Sequence, residues 1–255
     1  MKIFNELVLS IYSYPKAILM VKEYKLIKYV VILVLLLSFF VLPVVIIGEF
    51  ATFLSSFIPF LDGEKYTKTG VELMSSFSGF FLLILLIPIF SLISDEVNQH
   101  IRGVKSLFSI KQFVSDIIRG LKITFRNFIY QYVSIIIVLF IFKIILPGTI
   151  FTLIGKFAVF IITSYFYGFS LMDYAMENHK MNYKTSVIFV RSHIGLAIGL
   201  GLIYYSIVRF NDIDIVKSIL GNFSNYWSTI AEAIVAFVGV IAANIVLNIV
   251  VKDKR

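Results

Sequence analysis

The 255-residue chain contains no cysteine. Disulfides, thiolate metal sites and cysteine nucleophiles are therefore excluded, while the compartment is left open. Charge is scarce too: 15% of residues are Asp, Glu, Lys or Arg, where a soluble domain needs roughly a quarter to cover its surface. Also missing are GxSxG, HExxH and any phosphate-cradling glycine loop, so no catalytic constellation argues for an enzyme. The three histidines, His100, His179 and His193, are widely separated. Glu96 and His100 stand four apart at helical spacing, but no third ligand has recognisable metal spacing, and a solvated helix face accounts for them.

Apolar residues fill the space that charge leaves. Hydrophobic residues make up 59% of the chain and the mean hydropathy is +0.94. They cluster in runs long enough to span a membrane, where only a helix satisfies every backbone hydrogen bond within its own segment. The net charge of +8 concentrates in particular loops, and most of the 26 phenylalanines lie inside the apolar runs. That pattern fits membrane topology and not a continuous nucleic-acid-binding face. The expected fold is an all-α integral membrane protein. It has two long transmembrane helices, helical hairpins of which one is re-entrant, and amphipathic surface helices, all in one polytopic unit over residues 1–255.

Residues 1–25 read as an amphipathic helix on the membrane surface. Its apolar stretch Leu7 to Tyr14 is broken by Pro15 and Lys16, and no cleavage site follows, which argues against a signal peptide. The long spans are expected at 27–48, with Pro43 inside, and 76–94, with Pro88 inside. Between them, residues 49–75 carry a net charge of −2. The connection 95–126 is basic. Within it Val114, Ile117, Ile118, Leu121, Phe125 and Phe128 recur at helical spacing, with Arg119, Lys122 and Arg126 on the other side. That basic face fits anionic headgroups, or a vestibule that concentrates anions.

A hairpin over 127–172 turns at Leu146-Pro147-Gly148. Each arm has 16 residues between flanking charges, Arg126 to Lys143 and Lys156 to Asp173, covering about 24 Å against a core of about 30 Å. Short arms and an uncharged turn predict a re-entrant hairpin. A second hairpin over 186–251 is expected to cross fully, because its connection holds Arg209, Asp212, Asp214 and Lys217. Counting Lys and Arg near the spans puts both termini and the 95–126 connection on the cytoplasmic side of the cell membrane.

Ionisable residues within lipid are costly and by default candidate functional groups. Lys143, Lys156, Arg191, His193 and Glu232 qualify. Interfacial anchoring weighs equally for the two lysines and somewhat more than a ligand role for Arg191. Glu232 near the start of the last run complements the helix dipole.

The segment DYAMENHKMNY, Asp173 to Tyr183, resembles the Asp-Tyr followed by Asn178-His179-Lys180 and an aromatic in the CysZ-type sulfate permeases. These belong to a wider superfamily with the etoposide-induced membrane proteins. Pro88, Asp95 and Gly103 are similar to that family's proline, acid and glycine around the end of span two, and Leu146-Pro147-Gly148 to its Ile-Pro-Gly turn. Arg191 and His193 fall on basic positions, and Gly201 and Gly239 on glycines of the later helices. Two departures stand out. The family's Gly-Leu-Arg before span one falls at Lys25-Leu26-Ile27, with Lys28 following, and its short Ile-Pro…Asn…Pro connection is replaced by the longer stretch 209–228.

The resemblance implies a homo-oligomeric permease for sulfate or another small oxyanion. Lys28, Lys143, Lys156 and Arg191 are its candidate anion-binding residues. Cations and backbone N–H groups replace an oxyanion's hydration, so neither metal nor cofactor is required. The alternative from another class is a structural or interaction protein of the membrane that transports nothing, which the missing Gly-Leu-Arg favours.

Overall fold

A chain with this little charge buries its peptide groups by forming helices, and in the computed structural model every regular element among the described residues is one. The structure describes residues 1–35, 86–103, 110–210 and 224–252. In chain order the helices are α1 (Lys2–Glu23), α2 (27–35) and α3 (86–102), α4 (Ile110–Ile145) and α5 (Gly148–Asn178). They continue with α6 (Tyr183–Ser192), α7 (Ile194–Phe210) and α8 (Ser224–Lys252). The chain is an all-α membrane protein: Ile117–Ile145, Ile150–Glu177 and Ile230–Val251 are each long and apolar enough to cross a bilayer. Most of span 27–48, the loop 49–75, the first part of span 76–94 and most of the connection 209–228 lie outside the described residues.

α7 is the centre of the bundle, packed against α5, α1 and α8. Its sequence explains why. Between helices in lipid there is no hydrophobic driving force, so small residues that let backbones approach closely supply the adhesion. Ala197 and Gly201 are four apart on one face of α7 and meet Ser164 and Gly168, also four apart, on the antiparallel α5. A Cβ on Gly168 would run into the Ala197 carbonyl, and one on Gly201 into the Ser164 carbonyl. Gly195 and Gly199 form a second stripe, which takes the parallel α1: Gly195 lies on Ile3 and Glu6, Gly199 on Leu7 and Ser10.

α1 forms as a helix where the sequence places one, but its inward face is Glu6, Ser10, Ser13, Tyr14 and Ala17. Ser10 donates to the Leu196 carbonyl at 3.1 Å and Tyr14 to that of Leu200 at 2.7 Å. Ile3, Phe4, Tyr12, Ile18 and Leu19 are left exposed.

Two further differences concern the hairpins. The amphipathic segment before residue 127 is not a separate surface helix but the start of α4, which runs 36 residues, about 54 Å, straight through Arg126 and Lys143. α5 likewise runs 31 residues, about 46 Å, through Lys156 and Asp173. Flanking charges do not end a helix, so the shortness of the arms disappears as a ground for re-entrance. The run from Ser186 to Val208, read as one span, instead bends by 89° between α6 and α7. His193 sits at the bend, its ring stacked on Phe189 at 4.3 Å and its Nδ1 against the Phe189 carbonyl at 3.0 Å. α7 beyond the bend has 17 residues, about 26 Å.

The two candidate spans at the extremes differ in surroundings. None of α4's most apolar window is buried, against 67% of α8's. α4 therefore presents Ile136, Phe140 and Ile144 outward, while α8 packs on α1, α5 and α7.

The central crossing gives a direct expectation. Gly168→Leu or Gly201→Leu forces backbone against backbone and should cost at least about 3 kcal/mol, the upper end of overpacking penalties. Gly148→Ala, where an added Cβ meets nothing within 4 Å, should stay within about 0.5 kcal/mol. Thermal unfolding in detergent measures both, and equal behaviour of the two classes would refute the crossing.

Candidate functional site: a basic cluster at the hairpin base

α4 and α5 face each other through a ladder of polar pairs. Gln131 donates to Thr163 at 3.5 Å, Asn127 to Ser170 at 3.1 Å, and Arg119 closes the ladder with Asp173. The Arg119 Nη2 lies 2.7 Å from the Asp173 carboxylate and also donates to the Ser186 hydroxyl at 2.7 Å. Their side chains are 15% and 5% exposed, so one guanidinium ties α4, α5 and α6 together away from water. The Arg119 Nε is buried with no acceptor among the described residues. Removing one partner of such a pair leaves a buried charge and costs about 3–5 kcal/mol.

Arg126 is two turns along the same face of α4. Its guanidinium sits 4.9 Å from the Tyr130 ring, 5.5 Å from Phe169 and 5.9 Å from Tyr183, a partly desolvated cation held by ring faces. Arg191 is exposed at the end of α6. Neither Arg126 nor Arg191 has a carboxylate partner among the described residues. The face read as resting on headgroups is thus divided: Lys122 is exposed, Arg119 turns inward, and Arg126 is roofed by aromatics.

The four candidate cations are not brought together. Lys28 pairs with Glu96 of α3 at 2.8 Å, and Tyr29 donates to the same carboxylate. Lys143 and Lys156 are exposed on the two arms of the hairpin near its turn, with no ion pair among the described residues. Of the four, only Arg191 is on α6, the helix that meets Arg119 and Arg126. Glu232 lies beyond the first turn of α8, where a dipole effect has faded. Its carboxylate accepts from Tyr204 at 2.7 Å, beside Tyr167, whose ring is 4.9 Å from that of Tyr204. Arg119 and Arg126 emerge as site residues only in the fold: their partners are distant in sequence, and the amphipathic spacing alone shows a basic face without saying which side chains turn in.

The positions on which the expected resemblance rested have structural duties here. Pro88 and Asp95 are half-buried on α3, and Gly103 ends that helix with φ +70°. Pro147 is the N-cap of α5 and Gly148 its first residue. Asp173 holds Arg119. Asn178 is the last residue of α5 and His179 its C-cap. Lys180 follows in the left-handed conformation, φ +54°, with Met181 N–H on the Met176 carbonyl and Lys180 N–H on Glu177, a Schellman ending usually built on glycine. Asn182 then caps α6 by accepting from the Thr185 N–H. Gly201 is the α5 contact, and Gly239 packs on Leu171 and Tyr14. At Lys25, where the resemblance places a glycine, φ is also +54°, and Leu26 N–H reaches the Val21 carbonyl. The residue differs, but the backbone keeps a conformation glycine adopts without strain. No protein-family model matches the chain, and no curated protein matches it.

Glu96 makes the one clear pH expectation. Burial is the largest influence on its carboxyl and raises it, but hydrogen bonds from Lys28 and Tyr29 and the charges of Lys28 and His100 together outweigh that and hold it below the usual value. A carboxyl lowered by folding stabilises the fold above its unfolded pKa of about 4.3 and loses that contribution as pH falls through the folded value. Lys28 is half exposed, so the contribution is at most about 1 kcal/mol. Thermal stability should therefore fall on acidification by that much more in the parent than in Glu96→Gln. Parallel curves would mean that the clamp contributes nothing.

Proposed function

We propose that this protein is a multi-pass permease of the cytoplasmic membrane for sulfate or another small oxyanion, with both termini inside. The observation that carries the reading is the pair Arg126 and Arg191, cations without carboxylate partners among the described residues, beside the ion-paired Arg119 at the foot of a membrane hairpin. A cation kept in a membrane helix without a counter-charge is available to an anion. The ring faces around Arg126 hold it without neutralising it. The resemblance to the sulfate permeases supports the same reading, as does the concentration of basic residues on one side. Labelling by an impermeant thiol reagent in intact cells checks the orientation: cysteine at Thr67 should react and cysteine at Ser106 should not.

A membrane structural protein without transport is the second reading. It is favoured by Lys28 being engaged with Glu96 and by the distance along their arms that separates Lys143 and Lys156 from the cluster. Uptake of radiolabelled sulfate into proteoliposomes decides between the two. The parent should accumulate label, Arg126→Gln with Arg191→Gln should reduce the rate at least tenfold, and Lys143→Met with Lys156→Met should cost less. A parent that moves no sulfate, phosphate, thiosulfate or molybdate leaves the structural reading standing. Loss confined to the lysine pair places the path at the hairpin turn.

A further inference from the structure

The cluster holds three arginines, yet Asp173 is the only carboxylate bonded to any of them among the described residues. We infer that Asp173 is a specificity-determining residue: by keeping Arg119 engaged, it limits the charge offered to an incoming oxyanion to that of Arg126 and Arg191. The inference rests on the permease reading and specifies how its site chooses among anions by charge.

Three features support it. Arg119 and Arg126 are seven residues apart on α4, hence on one face of that helix. α6 touches both, through Ser186 on Arg119 and Tyr183 on Arg126. Arg119 also has an unmet donor, since its Nε–H is buried with no acceptor among the described residues, and a guanidinium presents a planar fork of donors suited to oxyanions. What restrains it is Asp173, itself nearly inaccessible. Coulomb energy is linear in the charge of the bound ion. A change of site charge must therefore move a dianion's affinity, on a logarithmic scale, twice as far as a monoanion's. A change in shape or packing has no reason to keep that ratio.

The experiment measures sulfate and nitrate binding to the purified protein in phosphatidylcholine nanodiscs by radiolabel binding and competition. Asp173→Asn leaves Arg119 uncompensated and should tighten sulfate about tenfold and nitrate about threefold, the two-to-one logarithmic ratio. Arg119→Gln with Asp173→Asn removes both charges and keeps hydrogen-bonding groups, so it should bind sulfate within about twofold of the parent. If Asp173→Asn does not fold, the double variant decides alone. Parent-like affinity supports the inference, and a tenfold loss means that Arg119 itself grips the anion and overturns it. Equal shifts for sulfate and nitrate overturn it as well.

Repeating the series with phosphatidylglycerol in the disc separates a lipid phosphate from a free oxyanion. Displacement of sulfate in the same order across the variants makes the occupant a headgroup and leaves the role of Asp173 intact. A parent that binds neither anion removes the permease reading and this inference together. A parent that binds, with variants that do not follow the order, removes the inference only.

Discussion

The backbones of α5 and α7 touch at Gly168 and Gly201, and the arrangement of the other helices depends on that contact. Lipid offers helices no hydrophobic reason to associate, so adhesion comes from dispersion over closely apposed surfaces. Here the surfaces are peptide groups themselves, with no room for a Cβ. The crossing places the start of α7 beside the end of α5. From there the 89° bend at His193 carries α6 across the hairpin base, where Ser186 meets Arg119. The opposite stripe of α7 holds α1, and α8 closes the remaining side. Polar contacts then fix the angle: Ser94 bonds both the Tyr174 carbonyl and Asn244, tying α3 to α5 and α8.

Buried charge has a different part. The pair Arg119–Asp173 is a poor source of net stability, because two desolvation penalties oppose one attraction. It is a strong source of register, since any slip of α4 along α5 leaves both groups unpaired. Asn127–Ser170 and Gln131–Thr163 continue the same register toward the hairpin turn. Beyond them α4 offers apolar residues with Tyr132, Ser134 and Lys143, and its outward face meets lipid. The cluster therefore forms at the base of the hairpin, where aromatic rings hold Arg126, and not at its turn.

The helical membrane character was legible because it depends on composition and run length, which neighbours do not alter. The turn at Pro147-Gly148 was legible because proline cannot donate within a helix. Helix lengths were not: Arg126, Lys143, Lys156 and Asp173 look like boundaries in the sequence, whereas a helix carries charges through whenever its side chains reach a partner or an interface. The break at His193 had no proline or glycine at the bending residue to announce it, only Gly195 after it. The site was half legible. Arg191 and the basic face of α4 stood out by spacing, but whether a side chain turns inward depends on Asp173, 54 residues away. Lys28 looked available because Glu96, 68 residues on, could not be placed beside it.

The proposed oxyanion site lies at Arg126 of α4 and Arg191 of α6. Selenate has the charge and shape of sulfate and scatters anomalously at the selenium edge. Diffraction from crystals soaked in selenate should show an anomalous peak between the Arg126 and Arg191 guanidinium groups. A peak beside Lys143 or Lys156 instead, or none at concentrations that saturate binding in solution, would contradict the account.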